Sequence, residues 1–329
     1  MANVLVTGGA GFLGSHVASA LLKSGHKTVV LDDLSGGFRD NVPAGAEFVK
    51  CSVTDHKHLA GLFSKHRFDY VFHLAAYAAE NLSVFIKRFN YNNNLIGSVN
   101  LINESVKHRI KCFVFTSSIA AYGSQKPPFE EDLPLRPVDS YGIAKYTVEQ
   151  ELKITKDLFG LNYVVFRPHN IYGENQNTGD KYRNVMGIFI NQIMAGQPLT
   201  VFGDGGQTRQ FSYVGDIAPI MAASITDERF YNQAFNIGSD RHFTVNEIAK
   251  RISQAFGKDS EIRHLRQRHE VVHAQASHAK LKALGFMASE TPLEEGINRM
   301  VEWTKRVGIR KTRKFKEIEI REGLPEGWG

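Results

Sequence analysis

The chain has 329 residues, of which 42% are hydrophobic and 22% charged, so it is long enough to bury one large core or two unequal ones. It has no run of eighteen apolar residues, and its first residues lead directly into a strand and a turn, so we expect neither a membrane span nor a signal peptide. The two cysteines, Cys51 and Cys112, are too few for a disulfide framework and favour a reducing, cytoplasmic compartment.

The positive charge is concentrated near the end of the sequence. The formal net charge is +6, and seven lysines and arginines lie within residues 305–316. Because aromatic side chains do not interleave with them in base-stacking fashion, we interpret this stretch as solvated surface, with no nucleic-acid or membrane partner. A mildly basic protein also suits a substrate that carries a diphosphate.

Apolar strands alternate with helices through the first half of the chain. The predicted strands are 4–6, 27–31, 47–51, 70–74, 112–116 and 162–167, and the predicted helices are 13–24, 56–66, 93–107 and 140–159. Continuous apolar strands joined by helical crossovers predict a parallel sheet covered on both faces. The predicted fold class is therefore α/β, with a Rossmann-type doubly wound parallel sheet.

The pattern loosens after Pro168 into loops rich in Gly, Asn and Gln. Helices are predicted at 188–195, 244–256 and 292–307, with strands at 199–202 and 235–237. The second of these helices begins with Thr-Val-Asn-Glu, a capping box with Thr244 as N-cap. We place a domain boundary near Arg167, between a Rossmann domain (1–167) and a smaller mixed α/β domain (168–329), and expect the chain to return to the sheet around 208–238.

The turn after the first strand has glycines at positions 8, 11 and 14, just before a helix. The first permits a tight turn, the second lets backbone approach a pyrophosphate, and the third lets the helix pack closely, while the helix N-terminus favours the anion. The second strand ends in Asp32-Asp33. A carboxylate there accepts both ribose hydroxyls of NAD and repels the 2′-phosphate of NADP, so we predict NAD as the cofactor and Asp32 as its ribose ligand.

A tyrosine and a lysine lie one helical turn apart in Tyr141-Gly-Ile-Ala-Lys145, at the start of a long helix. A phenol with a pKa near 10 is a poor base at neutral pH, but a neighbouring ammonium favours the phenolate. Ser117 and Ser118 place hydroxyls at the carboxyl end of a parallel strand, where open α/β sheets bind ligands. Ser118 could hydrogen-bond a reacting hydroxyl of the substrate and share its proton with Tyr141.

Together these motifs resemble the extended short-chain dehydrogenase/reductase family, in its nucleotide-sugar epimerase/dehydratase branch. The resemblance covers nearly the whole chain. Besides the glycine loop and the Ser, Tyr and Lys residues, it rests on His73-Leu-Ala-Ala76, Asn94 and Arg167-Pro-His-Asn170-Ile-Tyr-Gly173. Looser matches are Leu199-Thr-Val-Phe202, Arg209 and the pair Arg268 and Glu270, which are one residue closer together than is usual in the family.

The resemblance implies a role for each of these positions. Ser118, Tyr141 and Lys145 would be catalytic. The first domain would bind NAD through Gly8, Gly11, Phe12, Leu13, Gly14, Asp32, Asp33, Ser52, Val53, Leu74, Ala75, Ala76, Asn94, Ser117, Tyr141, Lys145 and His169. The second domain would bind the substrate, together with Ser118, through Asn170, Asn184, Val185, Val201, Phe202, Arg209, Arg268 and Glu270.

Three departures from the family pattern bear on function. Dehydratases of the family place an Asp-Glu pair directly after the catalytic Ser or Thr, and this chain has Ile119-Ala120 there. Ser52 stands where an acidic residue usually contacts adenine. The loop 77–83 lacks the common Gly-Val-Arg run; because this segment approaches the sugar, the resemblance says least about the sugar.

We therefore predict an NAD-dependent 4-epimerase of a nucleotide sugar, with a UDP-hexose favoured, that works through a transient 4-keto sugar. A dehydratase or reductase of the same family is the first alternative, and a non-catalytic NAD- or RNA-binding Rossmann protein is the second. The histidines at 264, 269, 273 and 278 lack a completing ligand set, so we predict no metal. Family resemblance and the helices 93–107 and 144–159 suggest a homodimer joined by a four-helix bundle, although one chain could also bury such helices.

Overall fold

The computed structural model describes residues 1–267, 273–286, 290–310, 312, 317–325 and 328. The strands are β1 (Asn3–Thr7), β2 (Lys27–Asp32), β3 (Glu47–Lys50), β4 (Tyr70–His73), β5 (Cys112–Thr116), β6 (Asn162–Pro168), β7 (Ile171–Tyr172), β8 (Leu199–Phe202), β9 (Thr208–Gln210), β10 (Ser212–Tyr213), β11 (Gln233–Ile237), β12 (His242–Thr244), β13 (Ile262–Leu265) and β14 (His273–Ala274). The α-helices are α1 (Phe12–Lys23), α2 (His56–His66), α3 (Glu80–Ser83), α4 (Lys87–Tyr91), α5 (Gly97–Lys107), α6 (Ser140–Phe159), α7 (Val185–Met194), α8 (Val214–Ala223), α9 (Val245–Ala255), α10 (Ala279–Ala283) and α11 (Leu293–Val307).

Seven strands form one parallel sheet in the order β11-β6-β5-β4-β1-β2-β3. The strand order reverses beside β1, which pairs with β2 on one side and with β4 on the other. Successive residues of β1 contribute to different cores, with Val4 and Val6 in one cluster and Leu5 in another. Because side chains alternate across a strand, the two clusters lie on opposite faces of the sheet. The predicted doubly wound α/β class is therefore confirmed.

The second half of the chain contributes to both the large sheet and a separate core. Helix α8 and strand β11 bury Ile217, Met221 and Phe235 in the core on one face of the large sheet. Helices α7, α9 and α11 pack with β8 around a third cluster, which includes Phe189 and Met300. Small two- and three-stranded sheets complete this region.

Most of the predicted helices and strands are present in the structure, and a local feature of the sequence explains why helix α8 was not predicted. Helix α6 spans its predicted residues; Asp139 caps it by accepting the Gly142 N–H at 2.8 Å. The capping box at Thr244 is also confirmed. Helix α8 is absent from the prediction and contains Pro219, a residue that normally breaks helical periodicity. Among the described residues, no helix is long and apolar enough to cross a bilayer.

Candidate active site

A cavity of about 730 Å³ opens at the carboxyl ends of the central strands, where the strand order reverses. This is the crevice in which open α/β sheets bind their ligands. A second cavity of about 690 Å³ adjoins it and shares residues such as Ser118 and Asn170. The residues predicted for cofactor and substrate can therefore be compared with the walls of one continuous site.

The glycine loop forms a close-fitting cradle at one end of this cavity. Gly8 has a φ of +70°, and a Cβ there would lie 2.7 Å from the backbone nitrogen of Ala75. A Cβ on Gly14 would overlap the carbonyl oxygen of Gly8. Within the part of the chain that the structure describes, no side chain caps the start of α1. Its first N–H groups are therefore available to a diphosphate, and the cradle fits the pyrophosphate of a dinucleotide.

Asp32 lies at the end of β2 and is only 8% exposed. Its two carboxylate oxygens accept backbone N–H groups from Ala10, at 3.1 Å, and Leu34, at 2.8 Å. Burial raises the pKa of Asp32, while these backbone hydrogen bonds act in the opposite direction. The carboxylate is thereby fixed at the cavity wall, where ribose hydroxyls can donate to it.

The three residues predicted to be catalytic all line the main cavity. The Ser118 hydroxyl accepts the Ala120 N–H at 3.1 Å, and it lies close enough to the Tyr141 phenol to lower the pKa of that phenol. Lys145 Nζ lies 5.6 Å from the centre of the Tyr141 ring and donates to the Thr116 carbonyl at 2.6 Å. Helix α6 and the carboxyl end of strand β5 thus hold the phenol, the amine and the serine hydroxyl close together.

Burial dominates the electrostatics of this group. It raises the pKa of Tyr141, as do the charges of Glu80 and Asp139, while the nearby Ser118 hydroxyl lowers it. Burial also lowers the pKa of Lys145 to about 7, against the opposing charge of Glu149. The Tyr–Lys pair therefore gives up its first proton near neutral pH. The one proton that remains lies either on Lys145, which gives a phenolate and an ammonium, or on Tyr141, which gives a phenol and an amine.

A buried ion pair that the sequence did not reveal lies directly behind this group. Glu149, one turn beyond Lys145, accepts Ser117 Oγ at 2.5 Å and Arg167 Nη2 at 2.6 Å. Both charged side chains are at most 3% exposed. Arg167 Nη1 also donates to the Tyr122 hydroxyl at 2.7 Å. This network fixes the strand ends that carry Ser117 and Ser118 against helix α6.

The residues predicted for substrate line the far side of the cavity. This wall includes Asn170, Asn184, Val185, Val201, Phe202 and Arg209. Asn184 also caps α7, because its side chain accepts the Met186 N–H at 3.0 Å. Asn170 has a φ of +24° and donates its amide to the Gln210 carbonyl at 3.1 Å. Arg268 and Glu270, predicted as the pair that holds the ribose and phosphate of the substrate, lie outside the described residues.

The residues predicted for the cofactor mostly line the opposite wall. This wall includes Gly8, Gly11, Phe12, Leu13, Gly14, Asp32, Asp33, Val53, Leu74, Ala75, Ala76, Ser117 and His169. Ser52 instead shares a hydrogen bond with the Thr54 hydroxyl at 2.9 Å, while its neighbour Cys51 lines the cavity. Asn94 is buried and clamps the backbone of Tyr77, accepting its N–H at 2.9 Å and donating to its carbonyl. We therefore assign Asn94 to positioning the loop.

Two segments without a recognisable motif complete the site. Residues 174–183 cross the cofactor end: Asn177 donates to the Gly36 carbonyl at 3.2 Å, and Arg183 stacks over Tyr77 with its guanidinium carbon 4.5 Å from the ring centre. Further along the chain, Trp328 lines the main cavity, and its carbonyl accepts the Tyr182 hydroxyl at 3.0 Å. Their sequences have no periodicity or spacing that would mark them as part of a site.

The histidines weighed as metal ligands have other partners. His264 contacts the Gly203 carbonyl, His273 contacts Thr208, and His278 Nδ1 is hydrogen-bonded to the Asp240 side chain at 2.7 Å. His269 lies outside the described residues. Of the described residues, the metal-type donors that lie within 4.8 Å of one another are Cys51, Asp55 and His58, beside α2.

Comparison with known proteins agrees with this geometry. Residues 4–238 match the model of the NAD dependent epimerase/dehydratase family. The chain is similar to the crystal structure of UDP-glucose 4-epimerase with UDP-glucose from Thermotoga maritima, with a TM-score of 0.87 and 35% identity over 93% of this chain and 99% of that one.

Relatives with other activities are also similar to this chain. A UDP-glucuronate 4-epimerase from Thermodesulfobacterium geofontis is 30% identical over 320 residues, which cover 93% of this chain and 97% of the relative. A UDP-N-acetyl-alpha-D-glucosaminuronate decarboxylase from Bacillus cytotoxicus is 30% identical over 319 residues, covering 92% and 98%. The family match and the cavity geometry together show that the chain belongs to the NAD dependent epimerase/dehydratase family.

Proposed function

We propose that this protein is an NAD-dependent nucleotide-sugar 4-epimerase whose substrate is a UDP-hexose. The observation that carries the proposal is the placement of Ser118, Tyr141 and Lys145 in one cavity with the glycine cradle. Ile119 and Ala120 follow the serine, so the acid and base that a dehydratase of the family has at these positions are missing. Epimerisation needs a proton relay, for which this site offers Ser118, Tyr141 and Lys145, and a reversible hydride transfer, for which it offers a cradle that fits a dinucleotide cofactor.

The proposed cofactor contacts follow from the cradle and from β2. Backbone N–H groups at the start of α1 would hold the pyrophosphate, and Asp32 would accept the adenosine ribose hydroxyls. Bound NAD supplies a hydride acceptor that can later return the hydride. Because the reaction has no net redox change, we expect NAD to stay bound through turnover. Residues 174–183 would help to retain it by covering the cofactor end of the cleft.

Proton transfer is assigned to Tyr141. As phenolate it would take the proton of the sugar 4-hydroxyl, directly or through Ser118, as C4 becomes a ketone. After the keto sugar has turned about its bond to the diphosphate, Tyr141 would return the proton to the 4-oxygen. Lys145 would favour the phenolate form. Asn170 and Arg209 would keep the diphosphate in place during the turn.

The test is a panel of UDP-sugars incubated with the purified protein and analysed by NMR and mass spectrometry. We expect a C4 epimer of unchanged mass. A product lighter by one water would indicate a dehydratase, and loss of carbon dioxide would indicate a decarboxylase. Tyr141→Phe should reduce the rate by about 10²–10⁴-fold, the usual contribution of a general base. Tyr146→Phe on the same helix is the matched control; Tyr141→Phe with undiminished activity would contradict the assignment.

We also propose that two copies associate through α5 and α6. Helix α6 exposes Ile154, Leu158 and Phe159 by 51%, 69% and 65%, and Ile96 just before α5 is 48% exposed. Apolar side chains grouped in this way are typical of an interface. Light scattering should give twice the chain mass, and Leu158→Glu should give monomers. A wild-type monomer at micromolar concentration would refute the proposal.

A further inference from the structure

Arg183, at the end of the segment that crosses the cofactor end of the cleft, lies between two walls of the main cavity. On one side its guanidinium carbon stacks 4.5 Å from the centre of the Tyr77 ring. On the other side it fills the space above Gly36, where a Cβ would lie 2.9 Å from Arg183 Nη2. All three residues line the cavity, so the guanidinium spans its cofactor end from one wall to the other.

Both of these walls pack directly against the glycine cradle. In the first, a Cβ on Gly37 would lie 2.8 Å from the backbone nitrogen of Gly11. In the second, a Cβ on Gly8 would lie 2.7 Å from the backbone nitrogen of Ala75, two residues before the stacked tyrosine. The guanidinium therefore bridges the two segments that border the cradle, next to the place where a pyrophosphate fits.

The N–H groups of this guanidinium are available to a ligand. Its ion pair is with Asp180, whose Oδ2 lies 3.0 Å from Arg183 Nε without the alignment of a hydrogen bond. The Asp180 carboxylate accepts the Tyr182 N–H at 3.0 Å and the Tyr77 hydroxyl at 3.3 Å instead. Within the part of the chain that the structure describes, Arg183 Nη1 and Nη2 donate to no residue. Their planar fork matches two oxygens of a phosphate.

The charges at this end of the cavity also call for a cation. Asp32 and Asp33 line the same cavity as the cradle, and a pyrophosphate adds further negative charge. The start of helix α1 offers only about half a positive charge. The charge of Arg183 extends into the cavity: burial raises the pKa of Tyr141, and Arg183 acts in the opposite direction.

We propose that Arg183 is a ligand of the NAD pyrophosphate, supplied by the second half of the chain in addition to the glycine cradle. The inference rests on the cofactor site of the proposed function. Stacking on Tyr77 and the missing side chain at Gly36 hold the guanidinium in place before the cofactor binds, so little side-chain freedom is lost on binding. Charge-assisted hydrogen bonds to the phosphates then slow the release of NAD.

The experiment measures how fast NAD bound to the purified holoenzyme exchanges with added, isotopically labelled NAD. We expect exchange to be about tenfold to a hundredfold faster in Arg183→Gln, as follows from the loss of hydrogen bonds to a charged group. Arg183→Lys keeps the charge but not the paired N–H groups, so its exchange should be faster by about threefold to tenfold. Arg251→Gln is the matched control, because Arg251 is paired with Glu294 and stacked 5.3 Å from the Phe243 ring centre; its exchange should match wild type.

Affinity for UDP, measured calorimetrically at saturating NAD, separates the cofactor from the substrate diphosphate. It should differ by less than about twofold between wild type and Arg183→Gln, because one charged hydrogen bond is worth more than that. Unchanged NAD exchange in Arg183→Gln would overturn the inference, as would weaker UDP binding with unchanged exchange. Arg183→Lys decides the question if the glutamine variant does not fold. Both measurements are made without turnover, so a protein that epimerises no UDP-sugar would remove the proposed function and leave this inference standing.

Discussion

Replacing Glu149 by Gln tests whether the buried ion pair supports both the fold and the catalytic lysine. The amide keeps the shape of the side chain and one acceptor for Ser117 or Arg167. Its NH₂ group, however, would face Arg167 Nη2, which now donates to the Glu149 carboxylate at 2.6 Å. The guanidinium would remain 3% exposed and lose its counterion.

The size of the effect follows from what Arg167 retains. Breaking one partner of a buried ion pair costs about 3–5 kcal/mol. Arg167 would keep its contacts with the Tyr122 hydroxyl at 2.7 Å and the Glu131 carbonyl at 3.1 Å, so we expect a cost of about 3 kcal/mol, at the lower end of that range. At about 2 °C per kcal/mol for a chain of this length, Tm should fall by about 6 °C.

Catalysis should change as well, because the Glu149 charge raises the pKa of Lys145. Without that charge the pKa of Lys145 falls below about 7, so the Tyr141–Lys145 pair loses its first proton at lower pH and the acidic limb of kcat/KM moves to lower pH. Thermal unfolding and a pH–rate profile measure the two effects. Glu151→Gln, exposed on the same helix, is the control. A Glu149→Gln protein that melts within 1 °C of wild type would refute this reasoning.

Two further outcomes are expected. Gly14→Ala should abolish tight NAD binding, measured by cofactor retention on gel filtration, because its Cβ would overlap the Gly8 carbonyl; Gly61→Ala, where a Cβ meets nothing within 4 Å, is the control. Burial lowers the pKa of His73 to about 3, so the folded state binds fewer protons than the unfolded state. The stability that His73 contributes is full above about pH 6.5 and falls by about 1.4 kcal/mol per pH unit on acidification towards pH 3. His73→Gln should flatten this slope by one proton in unfolding titrations; an unchanged slope would contradict the assignment.

Local patterns made the sheet and the catalytic group predictable. The glycine spacing, Asp32 and the Tyr141/Lys145 pair depend on contacts within a few residues, and the fold brings them together in one cavity. Helix α6 could be predicted in full because its cap and its closing Gly160, at φ +76°, are both visible in the sequence. Each of these features is determined by residues that are close to one another in the sequence.

What escaped prediction depends on distant contacts. Glu149 reads as one more acidic residue on a helix, and only the packing of β6 against α6 reveals that Arg167 is its partner. Burial, which raises the pKa of Tyr141 and lowers that of Lys145, comes from packing between distant parts of the chain and is not visible in the Tyr141/Lys145 spacing. Trp328 lies far along the chain from Tyr182, and no spacing rule links them.

The position of β11 has a consequence for how the chain folds during synthesis. Strand β6 ends at Pro168, and its outer neighbour begins only at Gln233. Until residue 237 has left the ribosome, β6 is an open edge, and the space for the fully buried Phe235 and Ile237 is unfilled. Unpaired edges of this kind invite pairing with other chains. The nascent protein therefore passes through a stage in which most of its sheet is made but its last edge is unprotected, and slow translation of residues 169–237 should increase aggregation.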